Sequence, residues 1–309
     1  METRAFGRTG LTVSAVGFGG APIGFLEAEQ AEVGKMLNAL LDRGVTLIDT
    51  AAMYAGSEEA IGKAIASRRQ EYVLVSKCSN PNADGPDCWS AAKVTASIER
   101  SLQRLRTDCL DVMLLHSCGR DVLERGEAWE ALLRARDAGK VRCPGYSGDN
   151  DAARYAVGLP GLAALETSVN LCDQANLREV VPAAQARGIG VIAKRSIANS
   201  AWKPLAQQPG MYADYAKTYT ERFQAMGLTL GDLGFSGEPA AVWPQVALRF
   251  TLSQPGVSAA IVGTTRLAHA EANLAAAAAG PLPAAALEAI RKAFSRAETA
   301  AGAAWPAQI

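Results

Sequence analysis

The chain has 309 residues, of which 49% are hydrophobic and 20% charged, the balance of a soluble globular protein and a length that buries a large core without staples. Lys+Arg and Asp+Glu are equal at 31 each, and no basic stripe interrupts that balance, which excludes nucleic acid and an anionic membrane as expected partners. No apolar stretch follows Met1-Glu2-Thr3-Arg4 and the run 275–279 is too short to span a bilayer; with six cysteines and no Cys-x-x-Cys pair, reduced thiols in a cytoplasm are the reading. Two histidines make a histidine-rich metal site an unpromising idea, and no metal is expected.

In chain order, residues 4–14 read as a small hairpin able to plug one end of a barrel. The first β-branched apolar run, 13–18, overlaps its end. Gly17-Phe18-Gly19-Gly20-Ala21-Pro22 follows, at the place of a dinucleotide fingerprint. The third glycine is missing, Pro22 stands there instead, and no acidic residue ends a matching second strand, so the Rossmann reading fails. Apolar runs then recur at 45–48, 72–76, 110–115, 141–146, 162–169, 190–193 and 259–263. Between and after them lie helix-like stretches at 27–42, 57–69, 90–106, 124–138, 151–157, 174–187, 239–252 and 267–278. Ser57 before Glu58 and Glu59 reads as a helix start. Glycines after basic residues, as at 187–188, read as helix ends. The segment 197–238 is a long insertion with a helix around 212–226, and 283–297 is an extra terminal helix. Eight β-α units imply a parallel sheet with right-handed crossovers, closed into a (β/α)8 barrel that takes up residues 1–309 as one domain.

Barrels of this kind place their chemistry at the C-terminal ends of the strands. Those ends carry Asp49, Lys77 and His116, and Tyr54 follows Asp49 closely enough to fold over the same mouth. A free phenol has a pKa of about 10. An adjacent ammonium lowers it, a carboxylate keeps that ammonium charged, and an imidazole beside the phenol holds a substrate oxygen or assists the proton. Singly, each has a plainer reading: Asp49 and Lys77 as an internal ion pair, Tyr54 as a packing residue, His116 as a buried histidine at a strand end. Their order and joint spacing make the functional reading the stronger one.

Four ordered stretches carry a family resemblance: Asp49-Thr50-Ala51-Ala52-Met53-Tyr54 with Gly56-Ser57-Glu58, Val73-Leu74-Val75-Ser76-Lys77, Leu110-Asp111-Val112-Met113-Leu114-Leu115-His116, and Gly139-Lys140-Val141-Arg142 with Gly145-Tyr146-Ser147. Together they resemble the aldo-keto reductase superfamily, over nearly the whole chain. The resemblance implies Tyr54 as general acid/base, Lys77 and Asp49 as its tuning pair, and His116 as the group that orients a substrate carbonyl. It implies a nicotinamide cofactor, NADP(H) ahead of NAD(H), on Gly20, Ser147, Glu166, Lys194, Arg195, Ser196, Gly263, Thr264, Thr265, Arg266 and Asn273. The stretch Gly263-Thr264-Thr265-Arg266 ahead of a helix is independently a suitable anion site, and Arg266 and Asn273 are spaced to share a helix face. His269 stands where many relatives have a phosphate-binding arginine.

The chain also departs from its relatives. They often carry Ser-Asn where Ser147-Gly148 stands, and Gln where Glu166 stands, residues that hold the nicotinamide carboxamide. Asp149 or Asn150 are the candidate substitutes. Arg195 stands where many relatives stack an aromatic ring, and a guanidinium can stack in its place. Phe25, Met53, Trp89 and Trp202 are expected to shape the substrate pocket, and Cys118 to line it as an inert thiol.

The expected activity is hydride transfer between NADP(H) and a small carbonyl or alcohol, by a monomer or small homo-oligomer. Two readings compete. One is an aldolase with Lys77 as Schiff-base nucleophile, which the neighbouring Asp49 disfavours because it keeps the lysine protonated. The other is an NADPH-binding regulatory subunit with little turnover.

Overall fold

Strands that are apolar on both faces need cover on both, and the chain supplies it by closing the sheet on itself and ringing it with helices. In this computed structural model of the protein, residues 1–26, 29–79, 84–85, 87–208 and 212–308 are described, the side chains of Phe25 and Tyr212 excepted. A two-stranded antiparallel hairpin, β1 (Thr3–Ala5) and β2 (Thr12–Ser14), precedes eight parallel strands: β3 (Val16–Gly19), β4 (Leu47–Asp49), β5 (Val73–Cys78), β6 (Leu110–His116), β7 (Val141–Ser147), β8 (Ala164–Ser168), β9 (Gly190–Lys194) and β10 (Ala259–Val262). They close as β10-β3-β4-β5-β6-β7-β8-β9. Around them run α1 (Ala21–Phe25), α2 (Gln30–Asp42), α3 (Ser57–Ile65), α4 (Ala91–Leu105), α5 (Arg120–Arg125), α6 (Glu127–Asp137), α7 (Asn150–Val157), α8 (Val180–Ala186), α9 (Tyr212–Met226), α10 (Pro239–Leu252), α11 (Leu267–Ala278) and α12 (Ala284–Ala300).

The expected eight-unit barrel and N-terminal hairpin are both present, with local differences. The run 13–18 divides at Ala15, because the amides of Ser14 and Ala15 turn to Thr46 Oγ1 and the Glu2 carbonyl. The expected helix 124–138 begins earlier and breaks at Gly126, whose φ of +77° is left-handed. The expected 57–69 helix stops at Ile65 and continues as a tighter 3-10 stretch over 66–71. The 174–187 stretch keeps regular α-helix only over α8. Ser57 does not cap α3. Gly56 occupies that position, and the Ser57 hydroxyl donates to the Gly20 carbonyl at 3.0 Å. Of the stretch expected at 27–42, residues 27 and 28 lie outside the described residues and the helix runs over Gln30–Asp42.

The hairpin seals the N-terminal end of the barrel. Phe6, Leu11 and Val13 pack into the same apolar cluster as the inward-facing Leu47, Val75, Val112, Leu114, Cys143, Ala164 and Ile192. Gly190 makes room for this plug, since a Cβ there would sit 2.7 Å from the Phe6 ring. A second apolar cluster lies outside the barrel, where α9, α10 and α12 bring together Tyr219, Trp243, Phe250, Ile290 and Phe294. The insertion is therefore anchored through its helix and not a free excursion. All six cysteines are free thiols, and no helix among the described residues is long and apolar enough to cross a membrane.

Phe6 is wholly buried, so Phe6→Ala should lower unfolding free energy by about 3–5 kcal/mol. Urea denaturation checks this; an unchanged midpoint would show that the plug does not seal the barrel.

Candidate active site

Side chains alternate along a strand, and the inward-facing core residues set the phase. Two residues beyond Leu47, Val75, Leu114, Ala164 and Ile192 stand Asp49, Lys77, His116, Glu166 and Lys194. The pleat that fills the barrel with aliphatic side chains thus turns polar in its last layer, and parallel pairing brings Asp49 level with Val75, His116 with Ser147, and Ser147 with Glu166. The backbone just past this layer is strained. Ser79, Ser117, Asn150 and Arg195 have φ values of +71°, +57°, +56° and +55°, conformations that non-glycine residues adopt at a cost and that cluster at functional rims.

Lys77 is the centre of the layer. Its side chain is completely buried, and its ammonium Nζ lies 2.5 Å from Asp49 Oδ1, 3.2 Å from Glu166 Oε2 and 3.0 Å from the Thr50 carbonyl oxygen. Burial would discharge the lysine, but Asp49, Glu166 and the Tyr54 oxygen outweigh it and raise its pKa. A permanently protonated lysine is no Schiff-base nucleophile, so the geometry removes the support for an aldolase. The Asp49 carboxyl is pushed well above the usual carboxylate range by its own burial and by the Glu166 charge, against the pull of Lys77.

Tyr54 lies over this ammonium, its ring centroid 5.3 Å from Nζ, and meets His116 edge to face with centroids 5.8 Å apart. The four strand-end and loop residues singled out in the sequence therefore converge. The expected direction of the tyrosine shift does not hold. Burial raises the phenol's pKa, Asp49 and Glu166 add to the rise, and Lys77 only partly offsets it. The phenol is a firmly protonated donor in this state. His116 is neutral, because burial and the cations Lys77, Lys194 and Arg195 push its pKa well below the usual value. Its Nδ1 is buried with no hydrogen-bond partner among the described residues.

On the β7–β9 side, Ser147 Oγ donates to Glu166 Oε1 at 3.4 Å. Asp149 and Asn150 are both engaged elsewhere. Asp149 accepts from Thr167 Oγ1, the Ser168 amide and Asn176 Nδ2, and pairs with Lys194 Nζ at 3.0 Å. Burial would raise its pKa, but Lys194, the Ser168 amide and Arg195 together hold it below the ordinary value. Asn150 exchanges two hydrogen bonds with the backbone of Ala307. Arg195 donates to Ser168 Oγ and to the Gln308 carbonyl and lies over Tyr215. Ser196 is buried with its hydroxyl donating to the Ile261 carbonyl at 2.7 Å. The C-terminal residues 306–308 thus wall this side of the mouth, a contact with no signature in sequence pattern.

At the β10 end, Gly263 packs on Pro22, whose ring a Cβ would meet at 2.7 Å, and Gly20 packs on the Asp49 carbonyl. Both glycines serve close backbone approach. Thr264 and Thr265 are half-buried ahead of α11, and Arg266 at its N-cap is exposed. Asn273, seven residues on, is buried. Lys203, from the insertion, joins Arg266 here: after burial, these two cations depress the pKa of His269. Lys203 was missed because only the packing of the insertion brings it across. Of the expected pocket residues, Met53 is half-buried in the β4–α3 loop. Trp89 packs against the main core. Trp202 stacks on Trp243 at 6.2 Å and meets Phe223 edge-on. The Phe25 side chain lies outside the described residues. The Cys118 thiol is raised in pKa by burial, as expected of an inert group. No cluster of His, Cys, Asp and Glu suited to a metal is found among the described residues.

Residues 15–294 match the model of the aldo/keto reductase family. The chain belongs to that family. It is 28% identical over 290 residues to an L-galactose dehydrogenase of Arabidopsis thaliana, a match covering 89% of this chain and 88% of the relative. It is 31% identical over 291 residues to the Bacillus subtilis oxidoreductase YrpG, covering 85% and 87%. Among solved structures, the aldo-keto reductase AKR11C1 from Bacillus halodurans, in its holo form, superposes with a TM-score of 0.79 at 25% identity, covering 95% of this chain and 96% of that one.

The depressed pKa of His116 has a signed consequence. The unfolded chain takes up a proton near the ordinary histidine value of about 6.5 while the folded chain refuses it. Stability should therefore be full above that pH and fall on acidification, by on the order of 1 kcal/mol per pH unit. Urea midpoints between pH 8 and pH 5 for the wild type and His116→Asn test this; parallel profiles would remove the buried neutral imidazole.

Proposed function

We propose that this aldo/keto reductase transfers a hydride between NADP(H) and a carbonyl or alcohol, with Tyr54 as the general acid/base. The observation that carries the reading is the convergence of a protonated phenol, a permanent ammonium and a neutral imidazole on one rim. Bound NADPH would supply the hydride, and the protein's own residues handle everything else. Tyr54 holds the proton that an alkoxide needs as it forms. Lys77 stabilises the phenolate left behind and so offsets part of the rise that burial causes in the tyrosine's pKa. Asp49 keeps the ammonium aimed. His116, neutral and with an unused ring nitrogen, orients the substrate oxygen.

The residues present fit the cofactor at both ends. Ser147 and Glu166 form a polar pair suited to an amide, and Glu166 Oε2 lies 3.2 Å from the Lys77 ammonium. At the other end, the backbone of residues 263–266 ahead of α11, two threonine hydroxyls, Arg266 and Lys203 suit phosphate groups. Two cations there support NADP(H) over NAD(H). Met53, Trp89 and Trp202 are proposed to border the substrate.

Tyr54→Phe should bind NADPH as the wild type does and lose at least about 100-fold in kcat with a panel of aldehydes, ketones and dicarbonyls. Steady-state absorbance at the reduced cofactor's band reads this. Binding with no turnover in either protein would favour a regulatory subunit, and equal turnover in both would remove Tyr54 from its role. Replacing Arg266 by Ala should raise the KM for NADPH by about tenfold while sparing NADH, since a hydrogen bond to a charged group contributes about 1.5–3 kcal/mol; equal loss for both cofactors would overturn the phosphate assignment.

A further inference from the structure

The layer around Lys77 contains one carboxylate too many. Facing Glu166 are Asp49 from β4, Lys77 from β5 and the neutral phenol of Tyr54, and the Ser147 hydroxyl from β7 donates to its Oε1. The cations at the exit of β9 are already committed, Lys194 to Asp149 at 3.0 Å and Arg195 to Asp149 at 3.8 Å, Ser168 and Gln308. One ammonium therefore faces two carboxylates, both side chains 2% exposed. A buried charge without a partner is expensive and is relieved by a proton or by another cation.

Resting on the reading that a nicotinamide cofactor binds at this rim, we propose that Glu166 makes the site select the oxidised cofactor, whose ring is a cation, over the reduced cofactor, whose ring is neutral. The proton that the raised Asp49 carboxyl retains beside Glu166 would leave for solvent as that cation arrives. A glutamine, which relatives often carry at this position, hydrogen-bonds an amide equally well and adds no charge. Selection of the oxidised form is therefore a property of this chain's own residue. The high pKa of the Asp49 carboxyl in the free protein agrees with a retained proton. Preferential binding of the oxidised form lowers the reduction potential of the bound couple, which makes bound NADPH a stronger hydride donor and shifts the equilibrium on the enzyme toward carbonyl reduction.

The test is the ratio of dissociation constants for NADP+ and NADPH, from tryptophan fluorescence or calorimetry, in the wild type and in Glu166→Gln. Removing one charge beside a cationic ring at an effective dielectric near 20 should weaken NADP+ by at least about tenfold and leave NADPH within about twofold. In the wild type, NADP+ should bind more tightly as pH rises to the pKa of the Asp49 carboxyl, with proton release detectable by calorimetry in buffers of different ionisation enthalpy. NADPH should show neither effect. A ratio unchanged by Glu166→Gln overturns the proposal while leaving the oxidoreductase reading intact. If the variant does not fold by circular dichroism, the wild-type pH profile decides, and equal pH dependence for both cofactors overturns it. Failure of NADP+, NADPH, NAD+ and NADH to bind the wild type would remove the function itself and this inference with it.

Discussion

An ammonium ion with no contact with water, held between Asp49, Glu166 and the Thr50 carbonyl, sets the electrostatics of the whole mouth. It helps to keep His116 neutral and draws the Tyr54 ring over itself. It is also why a second buried carboxylate is tolerated beside the first. Buried ion groups of this kind are poor sources of stability. Their presence in the last layer of an otherwise aliphatic barrel is best understood through the chemistry they make available.

The barrel makes this cluster possible by a simple repetition. Inward residues two apart along each strand form layers, aliphatic from the plug upward and polar at the exit. Asp111 belongs to the other end of that logic. Its carboxylate ties Arg69, Arg142 and the Leu74 amide together at the opposite ends of the strands, so the Leu110–His116 strand has an ionic anchor at one end and the imidazole at the other. The left-handed residues past the strand exits show where the chain accepts backbone strain to aim its loops across the mouth.

The β8–β9 side is closed by segments far away in sequence. Residues 306–308 bond to Asn150, Ser168, Asp173, Arg195 and Arg222, and Trp305 packs on Phe294. Asp149, Asn150 and Arg195, which family comparison makes candidates for the carboxamide and the ring face, are thereby drawn into a structural network. Ser147 and Glu166 remain as the polar groups on that wall that point toward the Lys77 cluster.

The alternation of apolar runs with amphipathic stretches was sufficient for the barrel, because each strand needs only its own neighbours in sequence to declare itself buried on both faces. The convergence of Asp49, Tyr54, Lys77 and His116 was legible for the same reason: strand ends in a parallel barrel share one rim. Boundaries such as the breaks at Ala15 and Gly126 were not, since competing hydrogen bonds to Thr46 and Glu2 and a left-handed glycine set them. Only the tertiary structure decided the charge state of the site. The lysine lowers the tyrosine's pKa in isolation, but burial and a second carboxylate reverse the sign, and desolvation has no one-dimensional signature. Lys203 near Arg266 and the C-terminal segment on Arg195 likewise depend on how the insertion and α12 pack, where contacts between residues distant in sequence leave no periodicity to read.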